Sequence, residues 1–176
     1  MINALIYTLI VIIITIIIVF KDFKKNIKEY SFLILFGAFI GFIVENILIY
    51  FNLFNYIVEP KLIFFSVLAI PLYFCWISLV NFFSRFFKGK INVKNESLNY
   101  YILVFVITLI LAFIFDLTAI NLVNFWQHNY GIKIFNVSII GLIAESLLIT
   151  IIFVLKDKIQ MKNGNKNSIK KTKKRY

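Results

Sequence analysis

Long apolar runs dominate the chain, and short polar stretches separate them. A helix needs roughly 20 mainly apolar residues to cross the hydrocarbon core of a bilayer. Five runs reach that length: residues 2–20, 31–51, 62–83, 100–120 and 136–155. The pattern predicts an all-α integral membrane protein, a bundle of five transmembrane helices in a single domain spanning residues 1–155. The first run has no basic leader and no small-residue cleavage pattern after it, so it reads as a retained helix rather than a signal peptide. Residues 156–176 form a basic tail whose last part, KNGNKNSIKKTKKRY, lacks the apolar residues to pack and is expected to be unstructured.

Charge gives the bundle an orientation. Lys21, Lys24, Lys25 and Lys28 lie in the first connection, Arg85, Lys88, Lys90 and Lys94 in the third, and nine more basic residues in the tail. The other two connections hold one lysine each, Lys61 and Lys133. So 17 of 19 basic residues fall on one side, which the positive-inside rule makes cytoplasmic. The N-terminus is then outside, the C-terminus cytoplasmic, and the expected location is the cell membrane.

Composition agrees. The chain is 61% hydrophobic with 21 phenylalanines, against about half apolar for an ordinary soluble domain. A net charge of +11 is also the footprint of a nucleic-acid binder, but its concentration after the last span fits anionic lipid instead. The expected partners are the bilayer itself and anionic lipid at the tail, with no nucleic acid. Cys75 is the single cysteine and His128 the single histidine. An intrachain disulfide, a cysteine zinc site and a multi-histidine metal site are thereby excluded. No metal and no cofactor are expected, and His128 reads as an exposed loop residue.

Three of the eight acidic residues break the apolar pattern: Glu45, Asp116 and Glu145 sit inside spans. An ionisable group at such depth is expensive and marks a functional site. At about 1.5 Å per residue, they lie roughly 21, 24 and 15 Å above the inner ends of their helices, at or beyond the midplane. Four residues before each stands a small residue, Gly41, Ala112 or Gly141, on the same helix face. Gly37 extends the first of these faces. Small faces let helices approach closely, so each acid is expected to point at a neighbouring helix or a cavity. The segments GFIVENILI (41–49) and GLIAESLLI (141–149) share five of nine positions, a weak internal symmetry of the inverted-repeat kind.

An apolar medium disfavours a carboxylate, and a second carboxyl nearby disfavours it further. A cluster of the three would hold a proton near neutral pH and act as general acid, proton relay or ion ligand. A purely structural arrangement has the acids bonded to backbone or to Asn46, Thr118 and Ser146. Pro71 interrupts the third span and is expected to kink it or free a carbonyl. Trp126 and Tyr130 in the fourth connection, like Tyr56 in the second, fit interfacial anchors. Phosphate-binding glycine loops, GxSxG and HExxH are all missing from the sequence.

Two stretches carry a family resemblance. One runs from Glu45 through Tyr56 and Glu59-Pro60-Lys61-Leu62 to Ile70-Pro71 and Trp76; the other holds Asp116, Trp126, Tyr130-Gly131-Ile132 and Asn136. Together they resemble membrane carotenoid-biosynthesis proteins of the bisanhydrobacterioruberin hydratase type. The second stretch, followed by Glu145, is also similar to small membrane lycopene cyclase domains. Either resemblance implies protonation of an alkene in a long apolar isoprenoid, followed by capture of the cation by water or by an internal alkene. Glu45, Asp116 and Glu145 would be the catalytic acids and bases. Tyr56, Pro71, Trp76, Trp126, Tyr130 and Asn136 would line the substrate. Two other functions compete with this enzyme: a small proton- or cation-coupled transporter, and an accessory protein whose acids fix helix pairing.

Overall fold

A computed structural model describes the backbone of residues 2–57, 61–62, 65–93 and 97–173, and the side chains among them other than those of 54, 61, 62, 65 and 160–173. Glu59, Pro60 and Lys94 lie outside the described residues. Five helices carry the architecture: α1 (Ile2–Lys25), α2 (Ile27–Tyr50), α3 (Ala69–Ile91), α4 (Leu98–Asn121) and α5 (Ile139–Lys173). All five are long and apolar enough to cross a membrane. Large apolar side chains such as Ile13, Ile17, Phe39 and Ile114 face outward along them. An apolar exterior of this extent fits a multi-pass membrane protein.

α3 is the most enclosed helix. α1, α2 and α4 pack against it, and α5 closes the circle against α2 and α4. Its buried residues include Leu72, Tyr73, Cys75, Trp76, Ile77 and Val80. Neighbouring helices alternate in direction. At one end Arg85 of α3 meets Asp22 and Glu29, while Lys156 of α5 reaches Glu29 and Tyr101 of α4 reaches Asp157. The basic connections therefore gather at one end of the bundle, as the charge pattern predicts.

The other end holds what the pattern does not predict. Among the described residues three small antiparallel ribbons form there, so the fold is not purely helical. β1 (Phe54–Tyr56) pairs with β4 (Trp126–His128), β2 (Lys61–Leu62) with β3 (Phe65–Ser66), and β5 (Lys133–Ile134) with β6 (Val137–Ser138). Asn52, Asn124, Asn136 and Gly131 take positive φ in the connections around them. Asparagine and glycine tolerate that region best.

Two boundaries shift from the predicted ones. The third helix begins at Ala69 rather than at residue 62, because residues 61–62 and 65–66 supply β2 and β3. Pro71 consequently sits in the first turn of α3. First-turn N–H groups have no intrahelical acceptor, so proline removes nothing there and the expected kink does not arise. At the far end α5 continues to Lys173 instead of giving way to an unstructured tail at residue 156. Lys156 and Asp157 are buried in the ionic cluster described above, so the start of the tail belongs to the bundle.

Candidate functional site

The three acids enter the same region from three helices: Glu45 near the end of α2, Asp116 near the end of α4 and Glu145 near the start of α5. Because the helices alternate, ends of even helices meet starts of odd ones. Glu45, Asp116 and Glu145 all line one narrow inner pocket together with Tyr56, Tyr73, Trp76 and Trp126. Beside it lies a larger cavity of about 360 Å³ between α2 and α5, lined by Glu45, Glu145, Tyr73, His128 and Tyr130, with Leu48 and Ile151 among its apolar residues. Leu147 and Ile151 on its rim are 49% and 54% exposed on the outer surface of the bundle, so the cavity opens sideways. Glu45 and Glu145 line both spaces.

Each acid has its own company. Tyr56 donates its O–H to Glu45 Oε2 at 2.5 Å, and Tyr73 donates to the same carboxyl. Burial and the nearby Glu45 push the Tyr56 phenol well above its ordinary pKa, so it stays a donor. Asp116 is 4% exposed. Its Oδ1 accepts the Trp126 indole N–H at 3.2 Å, and its Oδ2 lies 3.3 Å from His128 Nε2. Donor oxygens of Asp116 and Glu145 and a ring nitrogen of His128 all lie within 4.8 Å of one another. Tyr130, near Ser138, is raised more mildly, by burial and then by Glu145.

The ribbon β1–β4 explains how two of these side chains arrive. Successive strand residues face opposite ways. Trp126 and His128 are buried and Gln127 between them is exposed, so both point into the bundle. Cross-strand register sets Tyr56 opposite Trp126, with their rings edge-to-face at 5.9 Å. His128 is therefore an interior residue, 3% exposed, and the expected exposed position is overturned by strand pairing. Its signal in the sequence is the period-two step Trp126-x-His128. Tyr73 is also a site residue that sequence reasoning missed; its only trace is a position three before Trp76, on the same helix face.

The small residues have a more specific role than helix approach. A Cβ on Gly41 would land on the Tyr73 ring, and one on Gly141 would sit 2.9 Å from His128 Nδ1 and Cε1. In both GFIVENILI and GLIAESLLI the glycine admits a ring from another element, one turn before the glutamate. Ala112 on α4 is buried in the main core. Thr118 and Ser146 donate to carbonyls of their own helices, as does Asn46, while Glu45 and Asp116 lean on aromatic donors.

Of the other expected substrate-lining residues, Tyr56, Trp76 and Trp126 are in the inner pocket and Tyr130 in the outer cavity. Pro71 and Asn136 line neither. Asn136 is exposed at the β5–β6 turn, donating to Asn121. No protein-family model matches the chain, and no curated protein or solved structure shows significant similarity to it.

Proposed function

We propose that the chain is an intramembrane acid–base enzyme that hydrates or cyclises an alkene of a long, carotenoid-like isoprenoid. The N-terminus would face outward, the C-terminus the cytoplasm, in the cell membrane. One observation carries this reading: three acids from three helices meet beside an aromatic-lined cavity that opens laterally through Leu147 and Ile151. A space of this volume holds a drug-sized group. A long isoprenoid exceeds it, so one end would enter while the rest stays in lipid.

Glu45 is the proposed donor, since it lines both spaces and two phenols hold its carboxyl. Its proton forms the new C–H bond, leaving a tertiary cation beside the ring faces of Tyr73, Trp76 and Trp126. Water held among Asp116, His128 and Glu145 attacks the cation. The proton that water releases passes to this trio and returns to Glu45. The net change is one water added, with no redox step. In cyclisation an internal alkene takes the place of water, and a ring proton is lost instead.

The test is expression in a host that makes lycopene or bacterioruberin precursors, with pigments analysed by mass. The expected result is a pigment heavier by one water, or an isomer of unchanged mass, that disappears with Glu45→Gln. No new pigment from the wild-type chain, or an unchanged profile with Glu45→Gln, overturns the reading.

A further inference from the structure

We propose that Asp116, His128 and Glu145 form a binding site for a divalent first-row transition cation, built where the inner pocket meets the lateral cavity.

Four observations converge on it. The first is the donor set: one imidazole nitrogen and two carboxylates, all within 4.8 Å of one another, brought from α4, β4 and α5. The second is spacing. Tetrahedral ligands at about 2.0–2.2 Å from zinc stand roughly 3.3–3.6 Å apart. Asp116 Oδ2 and His128 Nε2 are 3.3 Å apart. The glutamate oxygen needs to close by about an ångström, a small rotation at the end of a flexible side chain. The third is Asp116 Oδ2 itself. It is fully enclosed on a residue 4% exposed and accepts no hydrogen bond, although its sister Oδ1 takes the Trp126 N–H. Its close neighbour is His128 Nε2 at 3.3 Å, with no hydrogen bond between the two, the relation of two ligands to one ion, and the Trp126 bond holds Asp116 in place, as outer-shell bonds orient ligating carboxylates. The fourth is charge. Among the described residues no lysine or arginine lines either space. A divalent cation would balance two carboxylates in surroundings where two bare anions are untenable.

The ligand types narrow the choice. Imidazole with carboxylates suits Zn²⁺, Fe²⁺ or Mn²⁺, while Mg²⁺ favours oxygen ligands and retained waters. Three protein ligands leave a coordination position for water, the usual form of a catalytic zinc site. Glu45 stays outside the set, bonded to Tyr56 and Tyr73. The metal site shares its pocket with the proposed enzyme but needs no isoprenoid to be filled.

The experiment uses the full chain in nanodiscs, purified through an affinity tag free of histidine. It is equilibrated with Zn²⁺, Mn²⁺ or Mg²⁺ and analysed for bound metal by mass spectrometry. About one Zn²⁺ or Mn²⁺ per chain is expected, with Mg²⁺ unable to displace either at equal concentration. Asp116→Asn and Glu145→Gln, which keep side-chain size, should each lower the metal content at least tenfold, and His128→Ala likewise. Glu45→Gln should keep it. Folding of every variant is read from its thermal transition, and Zn²⁺ should raise that transition in the wild type and not in Glu145→Gln. Metal at background level in the folded wild-type chain overturns the proposal, as does a content that survives both isosteric substitutions. Metal retained by Glu45→Gln while pigment chemistry is absent from every form would sink the enzymatic reading and leave the metal site standing.

Discussion

The two ends of the bundle treat the same residue type in opposite ways. At the basic end, Asp22, Glu29 and Asp157 are matched to cations. Arg85 contacts Glu29 at 2.5 Å and Asp22 at 3.3 Å, and Lys156 reaches Glu29 at 2.8 Å and Asp157 at 3.2 Å. Tyr30 and Asn26 add further donors to Asp22. At the acid end, Glu45, Asp116 and Glu145 meet phenols, an indole and an imidazole, with no fixed positive charge lining their pockets among the described residues. Paired carboxylates are spectators whose charge is settled by their neighbours. Acids with no fixed cation among their described neighbours are open to protons or a metal, and that is where chemistry becomes available.

The comparison can be broken at either end. The largest expected effect is at the basic end. Lys156→Met removes the cation beside the buried Asp157, leaving it the Tyr101 hydroxyl, and takes one of the two cations that Glu29 contacts among the described residues. Removing one member of a buried ion pair typically costs about 3 kcal/mol, so a drop of that order is expected in unfolding of the detergent-solubilised protein. An unchanged transition would mean that the network is as dispensable as surface pairs are.

Gly41→Ala and Gly141→Ala come next. Each new methyl meets a ring with little room to yield, Tyr73 in one case and His128 in the other. Overpacking of this kind costs about 2 kcal/mol, partly offset by the roughly 1 kcal/mol that alanine gains in a helix. Gly89→Ala is the control, since nothing lies near its added methyl; it should be neutral or slightly stabilising. Equal transitions for all three would remove the role assigned to the two glycines.

Tyr56→Phe should cost about 1 kcal/mol through the lost bond to Glu45. It also carries a pH signature. The folded Tyr56 phenol holds its proton more tightly than the unfolded one. Its contribution is therefore complete below the unfolded pKa near 10 and falls as pH rises beyond it. Wild-type stability should decline above that pH more steeply than that of Tyr56→Phe; parallel curves would show that Tyr56 is not buried as described.

The smallest effect belongs to Glu145→Gln in metal-free protein. A carboxyl with no cationic partner loses little when made neutral, so stability should hold within about 0.5 kcal/mol or rise, as at many functional sites. A loss as large as that for Lys156→Met would erase the contrast between the ends.

Much of this contrast is legible in the sequence. Hydropathy alone separates five helices, loop charges gather the basic residues, and the three acids stand out against apolar runs. The site's other half is not legible. His128 and Trp126 are turned inward by strand pairing with a segment about 70 residues away, and a three-residue ribbon leaves almost no periodic trace. The start of α3 is hidden for a related reason: residues 61–66 are apolar enough to read as helix, and only the Pro71 position hints otherwise. The glycines are visible as small residues, but the rings they admit come from other elements.

The bond from Tyr56 to Glu45 spans 11 residues, and that from Trp126 to Asp116 spans 10. Loops that short close readily and early. Glu45 and Asp116 are thus each held by a donor from the next stretch of chain, and neither pair depends on a distant element for its partner. Glu145 arrives last, with Tyr130 and His128 synthesised shortly before it. α5 supplies the third carboxyl from the far end of the sequence, and with it the lining of the pocket is complete.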